Sequence, residues 1–260
     1  MTTKQKSGAE LAPATLSEHD GVRYLHLGTP WVQGAMRIRK PAQIELEYVQ
    51  RMMAWMLLRP ADVVARGHAV QLGLGAGSIT RFTQGVMKMK TTVVELNPTV
   101  IGMCRAYFRL PADGPRFHVL EMDAQHYLDE VAEPGSAEVL CVDLYDHQAA
   151  GPVLDSEDFY RGCARLLADQ GVMSVNLFGR HASFARSAQR IAAAFAGGTV
   201  ISLQPTREGN TIVLAIKHGG LPEREELAAR AQQIETRFGL PARKWLRMIR
   251  PLPSTPIEPA

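Results

Sequence analysis

The chain has 260 residues, 46% hydrophobic and 21% charged, enough for one full globular core with a small appendage. A net charge of only +3, with Lys and Arg scattered, argues against a nucleic-acid surface. Residues 1–20 carry Lys4 and Lys6 but no apolar stretch behind them, unlike an ordinary signal peptide, and no apolar run approaches the ~20 residues of a membrane helix. A cytoplasmic protein is expected. Cys104, Cys141 and Cys163 show neither metal spacing nor an even-numbered framework, which reads as reduced, packed thiols.

Residues 1–19 lack hydrophobic periodicity. Val22–Leu27 alternates like a strand, Gly28-Thr29-Pro30 is a turn, and Trp31-Val32-Gln33 is expected to return as a second strand. Pro41 is placed to open a helix running to Leu58. Its stretch Met52-Met53-Ala54-Trp55-Met56-Leu57-Leu58 is apolar nearly all round and reads as a buried core helix ahead of a ligand or partner face.

From residue 67 the pattern alternates. Strands are expected near 68–72, 92–96, 116–120, 137–142, 171–178, 198–204 and 211–217, and helices near 78–88, 98–108, 123–132, 156–168 and 182–196. Such alternation implies a mostly parallel sheet with helices on both faces. The linker Pro205-Thr-Arg-Glu-Gly-Asn210 is hairpin-like, so the final strand should run antiparallel. The expected class is α/β: a doubly wound, mostly parallel seven-stranded sheet of the class I S-adenosylmethionine-dependent transferase type, with a small N-terminal β region. A charged amphipathic helix over 221–238 closes the chain. Three segments follow: a flexible N-terminus and β-hairpin region over 1–40, a Rossmann-like catalytic domain over 41–247, and a disordered Pro-rich tail over 248–260.

The most informative stretch is Gly67-His-Ala-Val-Gln-Leu-Gly-Leu-Gly-Ala-Gly-Ser78, followed about 20 residues later by Val93-Val94-Glu95-Leu96-Asn97-Pro98. Strand, glycine turn, helix, then a second strand ending in a carboxylate is the pattern that holds a nucleoside. Gly73, Gly75 and Gly77 let backbone approach the ligand, and Glu95 stands where it can accept both ribose hydroxyls. Ligands of open sheets bind beyond the carboxyl ends of the strands. Those ends carry Glu95, then Asp123, then Asp143 and Asp146. Like charges gathered on one rim are costly unless a cationic or hydroxyl-rich ligand meets them. Glu95 and Asp123 also have a structural reading as helix caps. Asp143 follows the apolar run Val139–Val142, a rigid place for a catalytic or substrate-holding carboxylate. His68, His118 and His126 lack ligand spacing, so no metal site is expected; the lone His147 reads as solvated ahead of proton transfer.

These residues resemble the spermidine/spermine synthase family, the polyamine aminopropyltransferases, over about residues 22–217. The family's glycine loop is matched by Gly73–Ser78, its ribose acid by Glu95, its adenine-side Asp by Asp123 with Ala124 beside it, and its Asp-x-x-Asp loop by Asp143-Leu-Tyr-Asp146. Val153–Tyr160 resembles the helix entry after that loop. Gln33 falls where the family keeps a nucleoside-facing glutamine; Gln50 matches a second one or, two residues away, Tyr48 takes that place.

The resemblance implies decarboxylated S-adenosylmethionine (or S-adenosylmethionine) as donor, a small amine acceptor such as putrescine, no metal, and a homodimer. It implies that Asp143 binds and deprotonates the acceptor, that Asp146 holds its cationic chain, and that Tyr145 packs on acceptor or nucleoside. Two positions depart from the pattern: Ala76 stands where the family has an Asp gripping the donor amine, and Arg207 where it has a Tyr. Arg207 reads as solvent-facing slightly ahead of pocket-facing. The alternatives are a methyltransferase acting on a small molecule and a non-catalytic nucleoside-binding family member.

Overall fold

A computed structural model describes residues 11–145, 153–178 and 182–252. Asp146 and His147 lie outside the described residues. Two sheets make up the architecture. The small one is an antiparallel three-stranded sheet of β1 (Ala14–His19), β2 (Val22–Leu27) and β3 (Gly34–Arg37). The large one has eight strands: β4 (His68–Leu72), β5 (Lys90–Glu95), β6 (Phe117–Glu121), β7 (Ala137–Val142), β8 (Leu167–Phe178), β9 (Thr199–Leu203), β10 (Asn210–Ile216) and β11 (Ile249–Pro251). Their order is β11-β9-β10-β8-β7-β4-β5-β6.

All seven expected strands of the main sheet are present, and β10 runs antiparallel to both β8 and β9. The eighth strand falls in the segment expected to be a loose tail. Ile249–Pro251 pairs with β9 at the sheet edge, where Pro251 is tolerated because an edge needs fewer backbone donors. The N-terminal region also differs from expectation. β1 was not foreseen, although Asp20 and Gly21, with φ of 49° and 73°, make the two-residue turn that pairs His19 with Val22. The return strand is Gly34–Arg37 and not 31–33, because the Gln33 N–H closes on Leu25 O at 2.8 Å and only then does pairing with β2 begin.

Helix α1 (Glu47–Met52) passes directly into a 3-10 helix, Met53–Leu58. The helix expected from Pro41 starts six residues later. The Pro41 carbonyl accepts Arg81 Nε at 2.7 Å instead of a helical N–H. Residues Met52–Leu57 are fully buried and Leu58 nearly so, packed with β8, β10 and α7 (Arg224–Phe238). This apolar stretch is core, so it offers no subunit interface. The other helices are α2 (Ser78–Thr80), continued by a π-helical turn over Arg81–Val86, α3 (Pro98–Tyr107), α4 (Ala124–His126), continued by Tyr127–Val131, α5 (Glu157–Leu166), α6 (Ala182–Ala194) and α8 (Ala242–Met248). One core lies between the sheet and the α1, α7 and α8 layer, a second under α4, α5 and α6, and a third joins the small sheet to α3. No helix among the described residues is long and apolar enough to cross a membrane.

The central strand β4 has β5 on one side and β7 on the other. The chain leaves β4 toward β5 and returns on the far side to β7, so a crevice opens above the carboxyl end of β4.

Candidate active site

That crevice is a cavity of about 520 Å³. Its floor is the glycine turn. Gly73 and Gly75 adopt φ of 87° and 51°, in the left-handed region that side chains disfavour. A Cβ at Gly73 would stand 2.1 Å from the Asp143 carbonyl oxygen, so only glycine lets the β4 and β7 ends lie this close. Gly77, at φ 70°, heads α2 and does not line the cavity; it serves the turn. β3 clamps the loop from above: a Cβ on Gly34 would meet Ala76 at 2.6 Å. Ala76 is buried against the small sheet and does not line the cavity.

Glu95 ends β5. Its Oε2 accepts the Leu74 N–H and its Oε1 the Asn97 N–H, both at 2.8 Å. It therefore ties the glycine turn to the α3 entry while lining the cavity. Burial raises its pKa above the ordinary carboxylate value, against the opposing pull of backbone N–H donors. Capping of α3 falls instead to Asn97, whose side chain accepts from Thr99 N. Asp123 does cap α4, through His126 N at 2.9 Å, and with Ala124 it also lines the cavity.

Asp143 stands at the end of β7 with both oxygens engaged. Oδ1 accepts Asn176 Nδ2 at 2.9 Å and Oδ2 accepts the Tyr48 hydroxyl at 3.3 Å. Burial raises its pKa, and the two donors partly offset that. The same burial, with Asp143 beside it, raises the Tyr48 phenol well above its ordinary value, so Tyr48 stays a donor. Tyr48 and Gln50 are two helical residues apart, about 200° around the axis. Tyr48 lines the cavity; Gln50 turns away and donates to Ile44 O at 2.8 Å. Tyr145 lines the cavity with its ring, but its hydroxyl is committed to β8, donating to Asn176 O at 2.8 Å and accepting the Phe178 N–H at 2.5 Å. Gln33 also lines the cavity.

Four polar cavity residues escaped the sequence reading: Glu47, Asn176, Glu208 and Asn210. Asn176 was visible, with Ser174, as a polar interruption of the apolar run Val172–Phe178. Glu208 and Asn210 sit in the linker treated only as a hairpin. Arg207 is exposed and does not line the cavity, whereas its neighbour Glu208 does. The lining thus carries five carboxylates, Glu47, Glu95, Asp123, Asp143 and Glu208, and no Lys, Arg or His among the described residues. Arg51 partly compensates from behind, pairing with Glu47 at 2.5 Å. The remaining walls are apolar. Trp31, Leu96 and Val153 are 66%, 48% and 56% exposed and gather at this mouth, the pattern of an apolar rim that meets a ligand.

Burial pushes the Cys104 and Cys141 thiols up to about 12, so neither supplies a nucleophilic thiolate at neutral pH. Among the described residues no group of His, Cys, Asp and Glu has metal-holding geometry.

A doubly wound sheet with a glycine turn at its switch point and an antiparallel final hairpin is the class I S-adenosylmethionine-dependent transferase fold. Its solved counterparts include human methyltransferase-like protein 13 in complex with SAH (TM-score 0.62, 21% identity, 82% of this chain and 98% of that one). They also include a probable spermidine synthase from Corynebacterium glutamicum (TM-score 0.70, 20% identity, 93% and 90%). The polyamine aminopropyltransferase of Chromobacterium violaceum is 33% identical over 227 residues, 86% of this chain and 84% of that protein. The spermine/spermidine synthase domain model matches residues 73–219. The chain belongs to the spermine/spermidine synthase family.

Proposed function

We propose that this chain transfers the aminopropyl group of decarboxylated S-adenosylmethionine to a di- or polyamine acceptor such as putrescine. The observation that carries the reading is the Asp143 carboxylate, held by Tyr48 and Asn176 in a cavity where, among the described residues, every charged lining side chain is acidic. Such a lining favours a cationic sulfonium donor and a cationic acceptor over any anion.

The nucleoside lies over Gly73 and Gly75, with its ribose hydroxyls toward Glu95 and its base toward Asp123 and Ala124. Each Glu95 oxygen has a lone pair left after its backbone bond, so the carboxylate serves loop and ribose together. The acceptor lies against Tyr48, Tyr145 and Asp143, with Glu208 and Glu47 beyond. By the family resemblance, Asp146 holds the acceptor's cationic chain.

Amine groups near pKa ~10 are mostly protonated at neutral pH, so the lone pair must be freed. Asp143 takes that proton. The amine nitrogen attacks the propyl carbon next to sulfur, the N–C bond forms, and the C–S pair returns to sulfur. Methylthioadenosine leaves. The sulfonium is already a good leaving group, so the protein's share is alignment and proton removal. A carboxylate raised by burial is a better base than an exposed one.

Methyl transfer from intact S-adenosylmethionine is the weaker reading. That donor brings its own carboxylate into a cavity lined by acids. Purified protein mixed with decarboxylated S-adenosylmethionine and putrescine should release methylthioadenosine and spermidine. Absence of methylthioadenosine with every diamine and polyamine tried would overturn the reading.

A further inference from the structure

We propose that Asn210 is a positioning residue: by donating to the Asn176 side chain it fixes that amide so that its nitrogen, not its oxygen, faces Asp143. This deepens the proposed function, since it rests on Asp143 receiving the acceptor's proton. The geometry is a directed chain. Asn210 Nδ2 donates to Asn176 Oδ1 at 3.1 Å, and Asn176 Nδ2 donates to Asp143 Oδ1 at 2.9 Å. An asparagine amide can present either end, and the neighbour that commits one end decides what the other offers.

Asn210 is itself held. Its backbone N–H donates to Thr206 Oγ1 at 3.2 Å and its carbonyl accepts Thr206 N–H at 2.8 Å, which closes the β9–β10 turn. As the first residue of β10 it pairs with Phe178, two positions beyond Asn176 on β8. Both asparagines therefore point to the same side of the sheet, over the cavity. Asn176 is buried, so a flipped amide would set its carbonyl oxygen against the Asp143 carboxylate, acceptor against acceptor.

The ionisable groups interacting with Asp143 are Tyr48 on α1, Cys141 on β7 and Tyr145 on the following loop. Glu47, Glu95, Asp123 and Glu208 line the same cavity from α1, β5, the α4 entry and the β9–β10 turn. Burial is what opposes ionisation of Asp143, and the Asn176 and Tyr48 donors work against it.

The test is a carbon-13 NMR titration of the Asp143 carboxyl in wild type, Asn210→Ala and Asn210→Leu. Loss of the committed amide should move the Asp143 midpoint upward by about one pH unit, the size expected when a carboxylate loses a charge-assisted hydrogen bond. A midpoint within about 0.3 unit of wild type in both variants would overturn the proposal. In wild type, the Asn210 side-chain amide hydrogens should exchange at least about tenfold more slowly than those of surface glutamines. Exchange at the surface rate would overturn it even if neither variant folds. Both readouts are independent of turnover, so an inactive wild type counts against the function and not against this arrangement.

Discussion

The Tyr48 hydroxyl donates to Asp143 Oδ2 across 3.3 Å, although 95 residues separate the two in sequence. The contact joins α1 to the end of β7 and places a neutral donor on a carboxylate whose charged form burial disfavours. Tyr48→Phe removes the donor and keeps the ring. The acid limb of the kcat/KM profile should move to higher pH, and activity at pH about 7 should fall by roughly tenfold. An unshifted limb would mean that the hydroxyl does not govern Asp143.

Asp143→Asn removes the proposed base. Turnover should fall by about 10²–10⁴ while methylthioadenosine still binds, as calorimetry would show. The substitution also alters stability in a pH-dependent way. The folded pKa of Asp143 lies above its unfolded value, so folded protein retains a proton that the unfolded chain releases between the two. Stability from this group is present below the unfolded value and is lost as pH rises through the folded one. Thermal melts should therefore show the variant gaining on wild type as pH rises from about 4 toward neutrality. A constant difference would contradict a raised pKa.

Much of this site was legible because its backbone needs are local. The glycine turn, Glu95 and Asp143 each follow an apolar strand, so periodicity alone places them on one sheet edge. The small sheet was read less well. The Asp20-Gly21 turn signal was overlooked because β1 is mostly exposed and lacks an apolar alternation. Asn176, Asn210 and Glu208 depend on which strand lies beside which, and linear spacing carries no record that β10 pairs with β8. The side-chain direction of Gln50 likewise depended on a helix start that Arg81 delays by capturing the Pro41 carbonyl.

Glu208 and Arg207 make a natural pair of opposite tests. Glu208 lines the cavity, and Arg207, beside it and exposed, lowers its pKa only as a lesser cause after its own backbone N–H and Thr206. Glu208→Gln should weaken putrescine binding by roughly three- to tenfold, in line with a Coulomb energy of about 1 kcal/mol near water. Arg207→Gln should tighten it by a smaller factor. Methylthioadenosine affinity should stay put in both, because the proposed nucleoside site, over Gly73 and Gly75, does not involve these two residues. Equal effects on both ligands would point to a general loosening of the turn.

Gly73 and Gly102 separate conformational strain from loss of flexibility. Gly73 holds φ 87°, and a methyl group there would meet the Asp143 carbonyl oxygen at 2.1 Å, which is backbone and cannot rotate aside. Gly73→Ala must therefore either open the β4–β7 junction or flip the turn. The strain alone costs about 1–3 kcal/mol, and separating the strand ends adds to it. For a chain of this size the midpoint of thermal unfolding should drop by roughly 4–10 °C. The same displacement pulls the Leu74 N–H from Glu95 and moves Asp143, so nucleoside affinity and turnover should fall together by more than about tenfold. Gly102 lies in the middle of α3, and a methyl group there meets nothing within 4 Å. Gly102→Ala should raise stability by up to about 1 kcal/mol and leave ligand binding alone. If the two alanines shifted the melting midpoint in the same direction, the close approach of the β4 turn to Asp143 could not be the reason for glycine at position 73.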